Sequence, residues 1–335
     1  MKSPKKYRGE GQKGAGAPFL YRTGNNCGEG KQVKRMGKLC AAALLACLLL
    51  LAGCAGQGKA GTPTQAESET TPVEKQPVLQ EMDWAAQFDG LEGAAVLYIP
   101  AEERYLVYNL PTAQRRCSPC STFKIVAAAT ALENGSLVPE HSTRAWSGER
   151  FWNQAWNQDV DFEQAFRSSC VWYFRQVIDE LGPQQIQAAL DKLAYGNRDI
   201  SDWEGRLNTN NDNRALTGFW IESSLKISPL EQAEVMERIF GAHSAYSQET
   251  QDALRQVMLE QPRDQAEIQI YGKTGMGKDK GIVADAWYTG FAEMGKETVY
   301  FCVYLGKTEG AEVSSQRAKE IAGNLLSAYR ETIEP

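Results

Sequence analysis

Histidine is scarce in this chain of 335 residues, which contains only His141 and His243. Both lie in polar segments typical of loops, which argues against a Ser-His-Asp hydrolase. Zinc chemistry is equally unsupported: no His-Glu-x-x-His motif occurs, and Cys117-x-x-Cys120 has neither a second cysteine pair nor a nearby histidine. We therefore expect no bound metal.

Long charged blocks and internal repeats are also missing from the body of the chain. The formal net charge is -6, and no long basic block follows the N-terminal segment, so nothing indicates a nucleic-acid-binding protein. Hydrophobic residues make up 42% and aromatic residues 10% of the chain, which is enough for a globular core. The length allows one or two domains.

The N-terminal segment differs from the rest of the chain. Residues 1–38 contain ten lysines or arginines and two glutamates, and an apolar run from Leu39 to Ala52 follows. The run is shorter than the roughly 18 apolar residues of a membrane span, so it favours a secretion signal over a transmembrane or buried helix. We expect residues 1–53 to be removed, with translation starting at Met1 or Met36.

The sequence Leu-Ala-Gly-Cys, ending at Cys54, resembles the bacterial lipobox. The resemblance implies that Cys54 becomes the first mature residue and carries diacylglycerol. Since two acyl chains anchor a protein stably, we expect an exported lipoprotein on the outer, extracytoplasmic face of the cell membrane. Residues 54–81 are rich in Gly, Thr, Pro, Gln and Glu and lack apolar periodicity, which predicts a flexible tether before a folded domain at residues 82–335.

Four cysteines follow in that domain. We expect buried free thiols, and a disulfide in this exported context is the alternative. The four are Cys117, Cys120, Cys170 and Cys302.

The apolar patterns of the domain predict strands, then helices, then strands and a final helix. Two strands around a turn are predicted within residues 93–109, and late strands at 266–273, 284–293 and 297–305. Helices are predicted at 122–133, 162–181, 229–240, 247–260 and 314–330. This order predicts an α+β fold: an antiparallel sheet that brings its first and last strands together, flanked by helices, plus a helical lobe.

Ser121-Thr122-Phe123-Lys124 opens the first strong helix pattern. Residues three apart share a helix face, so Lys124 can act as the base that a serine nucleophile needs, provided that its amine is neutral. Apolar neighbours favour the neutral amine because desolvation lowers a lysine pKa. The alternative is an N-cap serine with a surface lysine.

Two further short motifs follow in order. Lys273-Thr274-Gly275 ends an apolar strand pattern, where a cation and a hydroxyl can bind a carboxylate and the glycine admits a close ligand. Ser169-Cys170-Val171 lies within an apolar helix pattern, where Ser169 either bonds back to its own backbone or relays a proton.

Together these residues resemble the penicillin-recognising serine enzymes, whose Ser-x-x-Lys, Ser-x-Val and Lys-Thr-Gly motifs occur in this order. Further segments are similar to class D, oxacillinase-type, serine β-lactamases, which confer antibiotic resistance, and the resemblance covers about residues 82–330. These segments are Tyr195-Gly196-Asn197, Phe219-Trp220-Ile221-Glu222 and Leu225 to Pro229.

The resemblance implies a β-lactam substrate and an acyl-enzyme on Ser121. Lys124 would react with carbon dioxide to give N6-carboxylysine, the general base for acylation and for the deacylating water. No other cofactor is implied. Ser169 would relay a proton to the leaving nitrogen. Val171 would form a hydrophobic wall beside Lys124, and Trp220 would donate from its indole.

Substrate contacts are implied by the same resemblance. The oxyanion hole would be the backbone N–H groups of Ser121 and Met276. The substrate carboxylate would be held by Lys273, Thr274 and Arg317, although Arg317 is equally well read as a solvated helix charge. Tyr195 and Gly275 are the remaining predicted substrate-binding residues.

The sequence departs from the family pattern in one way that bears on the site. About ten extra residues, including 208–213, precede Trp220, which predicts an enlarged loop nearby. Val171-Trp172-Tyr173-Phe174 is also similar to β-lactam sensor domains. The alternatives are therefore a sensor or penicillin-binding protein that deacylates slowly, and a D,D-peptidase, which usually has Ser-x-Asn. Sensors carry several membrane spans and a metalloprotease motif, so the sequence favours the enzyme.

Overall fold

The computed structural model describes residues 77–260 and 267–333. It contains a six-stranded sheet in the order β1-β3-β2-β6-β5-β4. The strands are β1 Val78–Glu81, β2 Gly93–Ile99, β3 Arg104–Tyr108, β4 Gln269–Asp279, β5 Ile282–Met294 and β6 Glu297–Gly306. All pairs are antiparallel except β1 with β3.

Eight α-helices accompany the sheet in the described part of the chain. They are α1 Ala85–Phe88, α2 Leu110–Ala113, α3 Lys124–Glu133, α4 Phe162–Arg167, α5 Val171–Lys192, α6 Pro229–Phe240, α7 Gln248–Met258 and α8 Ser315–Ile333. None of the helices within the described ranges is both long and apolar enough to cross a membrane.

The sheet is buried on both faces because its central strands are almost continuously apolar. On one face, Leu97 of β2 and Phe301 of β6 pack in one cluster with Ile321 and Leu325 of α8. On the other face, α6 packs against β2 and β6. A second, larger cluster is built mainly from α3, α5 and their connections, and it forms the core of the helical lobe.

This architecture confirms the α+β prediction. The first and last of the predicted strands, which correspond to β2 and β6, pair as expected, with Ala95 of β2 opposite Val303 of β6. Helix α6 has the predicted bounds. Ser228 is its N-cap, and the side chains of Ser228 and Glu231 form a capping box.

Three boundaries need correction. Val78–Glu81 pairs with β3 as an exposed edge strand, so the last four residues assigned to the tether belong to the sheet. The helix predicted at residues 162–181 is two helices: α4 ends at Arg167 and α5 begins at Val171. Helix α5 also continues past its predicted end, because Gly182 adopts a φ of 72° and the helix resumes after this kink. The four cysteines of the domain are free thiols, as expected.

Candidate active site

Ser121 and Lys124 lie where a 3₁₀ turn, Cys120–Phe123, runs into α3. The Nζ of Lys124 donates a hydrogen bond to the Oγ of Ser121 at 2.9 Å. Lys124 is completely buried, and its Nζ lies 5.6 Å from the centre of the Phe174 ring. Burial lowers the pKa of Lys124 to about 8, and the nearby thiols of Cys170 and Cys120 oppose this only in part. A substantial fraction of this amine is therefore neutral near physiological pH.

Ser118 ties the turn that carries Ser121 to the Trp220–Glu222 segment by hydrogen bonds. The Oγ of Ser118 donates to the carbonyl of Trp220 at 3.2 Å and accepts from the backbone N–H of Glu222 at 2.8 Å. The indole of Trp287 donates to the carbonyl of Ser118 at 2.9 Å. Cys120 adopts a left-handed φ of 50°, a conformation that persists in a non-glycine residue only when its surroundings hold it. The position of the nucleophile is thus set by several elements at once.

Ser169 faces the same site from the connection between α4 and α5. The chain leaves α4 through a Schellman motif: Cys170 N–H donates to the carbonyl of Ala165 at 2.8 Å, and Ser169 N–H donates to that of Phe166 at 3.2 Å. Ser169 holds the left-handed position, with a φ of 55°. It is therefore a loop residue, and the prediction that it lies inside a helix was wrong.

Lys273 connects this serine to strand β4. Its Nζ donates to the Oγ of Ser169 and, at 3.1 Å, to the carbonyl of Thr274. Burial lowers the pKa of Lys273 well below its usual value, and the positive charge of Lys124 adds to the shift. The two lysines therefore repel each other across one site, and an anionic ligand near them would relieve that repulsion.

Strand β4 approaches the nucleophile turn so closely that glycine is required. A Cβ on Gly275 would come within 2.9 Å of Thr122 Cγ2 and 3.0 Å of the carbonyl of Pro119. A Cβ on Gly277 would come within 2.8 Å of Cys120 Sγ. The strand can therefore lie against the Ser121 turn only because these positions lack side chains.

A cleft of about 470 Å³ opens over Ser121. Ser121, Ser169, Val171 and the Thr274–Met276 segment line it. Aromatic side chains and an asparagine-rich loop also contribute to the lining. The remaining lining residues are Cys120, Trp152, Trp156, Ser168, Asn208, Asn210, Asn211, Leu216, Ile221, Glu222, Lys278 and Ser315.

A smaller cavity of about 210 Å³ adjoins Lys273 and Thr274. Arg167, Lys319 and the carboxylate-bearing Glu260 also line it. Glu260 pairs with Lys319 and accepts a hydrogen bond from the Tyr288 hydroxyl at 2.9 Å. Cations outnumber anions at this end of the site, which suits the carboxylate of a ligand.

Most of the predicted site residues come together. Ser121, Ser169, Val171, Thr274, Gly275 and Met276 line the cleft, and Lys124 and Lys273 are hydrogen-bonded to its serines. Trp220 is fully buried behind the turn, with its ring 6.1 Å from that of Phe123. Its indole N–H has no acceptor among the residues that the structure describes.

Two predicted substrate contacts need correction. Tyr195 is 1% exposed and packs edge-on against Phe123, so it supports the turn from behind and does not reach the cleft. The guanidinium of Arg317 contacts the carbonyl of Gln87 at 3.3 Å and Glu320 at 3.4 Å, outside the cleft lining. Cys54 lies outside the described residues.

Sequence reasoning missed several residues of the site. Trp152 is 75% exposed, and its ring lies 5.2 Å from that of Trp156 at the cleft wall. Lys278 lines the cleft, and Lys319 lines the smaller cavity beside Lys273. Only the position of Lys278, three residues after Gly275, could have suggested its proximity.

The fold and this serine-lysine site define a class, and comparison with known proteins agrees with it. A model of the penicillin binding protein transpeptidase domain matches residues 93–327. The chain therefore belongs to the penicillin binding protein transpeptidase family, within the penicillin-recognising serine enzymes.

The particular relatives fall into two groups. The regulatory protein BlaR1 of Bacillus licheniformis is 29% identical over 247 residues, which cover 73% of this chain and 38% of that protein. The probable beta-lactamase YbxI of Bacillus subtilis is 27% identical over 257 residues, covering 76% of this chain and 88% of that protein. The chain spans only 38–40% of the length of the BlaR1 proteins that it matches.

Solved structures divide in the same way. The C-terminal domain of the Bacillus licheniformis BlaR penicillin-receptor superimposes with a TM-score of 0.65 at 27% identity, covering 77% of this chain and 98% of that chain. A class D beta-lactamase from Bacillus subtilis gives 0.64 at 26% identity, covering 76% and 98%. Global similarity therefore does not separate an enzyme from a sensor, and the residues of the site must do so.

Proposed function

We propose that this protein hydrolyses β-lactam antibiotics through an acyl-enzyme on Ser121. The observation that carries the proposal is the 2.9 Å contact of Ser121 Oγ with a buried lysine whose pKa is lowered to about 8. The amine can accept the serine proton, which makes the hydroxyl a competent nucleophile. Membership in the penicillin-binding family supplies the substrate class.

The proposed reaction uses the remaining residues in turn. Ser121 Oγ attacks the β-lactam carbonyl while its proton passes to the Lys124 side chain. Backbone N–H groups of Ser121 and Met276 stabilise the oxyanion. The ring C–N bond then breaks, and Ser169 relays to the leaving nitrogen the proton that Lys124 took from Ser121. Water finally hydrolyses the Ser121 ester.

Carboxylation of Lys124 fits the residues that surround it. Only a neutral amine reacts with carbon dioxide, and complete burial beside Phe174 favours that form. Trp220 contributes a buried indole N–H that lacks an acceptor among the described residues, although such donors normally have one. We propose that Trp220 and the apolar wall of Val171 hold this group. When present, it supplies a carboxylate base in place of an amine.

The second candidate is a sensor or penicillin-binding protein that is acylated and stays acylated. It is favoured by the BlaR1 relatives, which are as similar to this chain as the β-lactamases are. The two functions share acylation of Ser121 and differ in the fate of the ester. We favour hydrolysis because residue 171 is an apolar valine that lines the cleft and packs against the core of the helical lobe, and apolar surroundings favour the neutral amine that carboxylation of Lys124 requires.

The proposal predicts that added bicarbonate increases steady-state hydrolysis of benzylpenicillin several-fold in protein that has been depleted of carbon dioxide. Ser121→Ala should abolish turnover. Lys124→Ala should reduce turnover by at least a hundredfold, since removal of a general base typically costs 10²–10⁴. Spectrophotometric assays of the three proteins, with and without bicarbonate, provide the measurement.

Two results would count against parts of this proposal. Rapid deacylation by Lys124→Ala would exclude Lys124 as the base for the second step. Stoichiometric labelling of Ser121 without turnover would exclude the hydrolase and favour the sensor.

We also propose that the protein is exported and anchored by lipid at Cys54. Support comes only from the sequence that precedes the described residues. Replacing Cys54 with serine should move the protein from the membrane fraction to the soluble fraction of a bacterial host. An unchanged distribution would contradict the anchor.

A further inference from the structure

We propose that residues 206–213, here called the asparagine loop, form a strap across the cleft that limits the size of the substrate's acyl side chain. Asn210 is the residue that fastens it. The inference rests on the proposed acylation of Ser121 by β-lactams but not on rapid deacylation. It makes the loop a specificity determinant for the reaction.

The loop is tied to one wall of the cleft through Asn210. Its side-chain amide donates to the carboxylate of Glu222 and to the backbone carbonyl of Lys278, a residue near the end of β4. The same carboxylate accepts the backbone N–H of Lys278. Glu222 is itself held in a left-handed conformation, with a φ of 52°. Three cleft-lining residues are thus joined by one hydrogen-bond network.

The other end of the loop is tied to the segment that carries Trp152, another residue of the cleft lining. The side-chain amide of Asn213 donates to the carboxylate of Glu149 at 2.5 Å. Glu149 is only three residues before Trp152, an exposed residue that lines the cleft. The loop therefore bridges the Trp152 segment and strand β4.

Hydrogen bonds between residues close in sequence stabilise the compact conformation of the loop. The Oδ1 of Asn208 accepts the backbone N–H of Asn210 at 2.9 Å, and the Oδ1 of Asn211 accepts that of Asn213 at 2.9 Å. At the base of the loop, Asp202 accepts the backbone N–H groups of Arg206 and Leu207 at 2.9 and 2.8 Å. A compact loop fastened at both ends resists displacement by a ligand.

The positive charges near Lys273 indicate where the substrate carboxylate binds, and therefore which part of the substrate contacts the asparagine loop. The carboxylate of a β-lactam belongs at the cationic end, beside Lys273, Thr274 and the smaller cavity. Lys278 is five residues further along the chain, which corresponds to roughly 15 Å in an extended strand. Ser121 and Asn210 line the same cleft, so we infer that the acyl substituent, on the side of the substrate away from its carboxylate, faces Asn210.

The chemistry of this end favours a compact substituent. The walls offer the ring of Trp152 and the side chains of Asn208, Asn211 and Ile221, and the strap closes the space between them. A phenylacetyl group can lie against Trp152 without moving the loop. A substituted isoxazolyl group is bulkier and requires the Asn210 bonds to break.

The test compares second-order acylation constants for oxacillin, which carries the isoxazolyl group, and benzylpenicillin, which carries phenylacetyl. Competition with a fluorescent penicillin gives both constants, whether or not deacylation is rapid. In Asn210→Ala the ratio of oxacillin to benzylpenicillin acylation should rise more than threefold over that of the unmodified protein. Glu149→Ala, which removes the opposite tie, should raise the ratio in the same direction.

Asp212→Ala is the matched control, because Asp212 is an exposed residue of the same loop outside the cleft lining. It should leave both constants within twofold of the unmodified protein. A rise of threefold or less in Asn210→Ala, together with no rise in Glu149→Ala, would overturn the strap while leaving acylation intact. If benzylpenicillin fails to acylate the unmodified protein, the proposed function fails and the strap fails with it.

Discussion

A buried lysine is the chemical centre of this protein, and its reactivity has a thermodynamic cost. Lowering the pKa of Lys124 from 10.5 to about 8 corresponds to about 3 kcal/mol of destabilisation when the amine is protonated in both the folded and unfolded states. The hydrogen bond to Ser121 offsets only about 1 kcal/mol of this. The fold therefore carries Lys124 at a net cost, as expected for a residue kept for chemistry.

That cost predicts the stability of Lys124→Met. At pH 7 Lys124 is mostly protonated in both states, so most of the penalty applies and the variant should melt several degrees higher than the unmodified protein. Between pH 8 and 10.5 the folded amine is neutral while the unfolded amine is still protonated, so the unmodified protein gains stability as the pH rises. The difference in melting temperature should therefore shrink from pH 7 to pH 9.5.

Thermal unfolding in buffer free of carbon dioxide gives this measurement. A Lys124→Met variant that melts lower than the unmodified protein at pH 7 would contradict the buried, destabilising lysine.

Ser169 shows how the end of an element can present a functional side chain. The left-handed position of a Schellman motif usually holds glycine, and a serine there costs about 1 kcal/mol or more. Neither a glycine nor a proline marks this position, so sequence patterns run the two helices together. By contrast, α6 was predicted correctly because Ser228 and Pro229 mark its start.

The same geometry predicts different stabilities for two variants that both remove the hydroxyl. Ser169→Gly should be more stable than Ser169→Ala by about 1 kcal/mol, because only glycine relieves the left-handed strain. Both should lose at least tenfold in the rate of acylation by benzylpenicillin if the hydroxyl relays a proton. Chemical denaturation and fluorescent-penicillin competition measure the two effects, and equal stability of the variants would contradict the strain.

At the scale of the whole molecule, the sheet unites motifs that are far apart in sequence. Lys124 and Lys273 are brought into one site because β4, packed on β5, lies against the 3₁₀ turn. The order of the strand and helix patterns was sufficient to predict the α+β fold, and the family resemblance carried by the motifs implied this meeting. Neither could predict that Arg317 contacts Gln87 or that Tyr195 is buried, because side-chain direction depends on packing that the motifs do not encode.

Overall similarity to known proteins does not show whether the Ser121 ester is hydrolysed, so this depends on the residues around the site. Sensors and β-lactamases match this chain at 29% and 27% identity and at TM-scores of 0.65 and 0.64. What distinguishes the two outcomes is whether the Lys124 environment supplies a base for water after Ser121 is acylated. The lifetime of the ester is therefore the decisive property.

The most direct test mixes the protein with excess benzylpenicillin in bicarbonate buffer and follows its intact mass over time. We predict an adduct on Ser121 that forms quickly and then decays to unmodified protein as the antibiotic is consumed, with no adduct in Ser121→Ala. An adduct that persists for hours after the free antibiotic is removed would contradict hydrolysis, and the absence of any adduct together with the absence of turnover would contradict the account altogether.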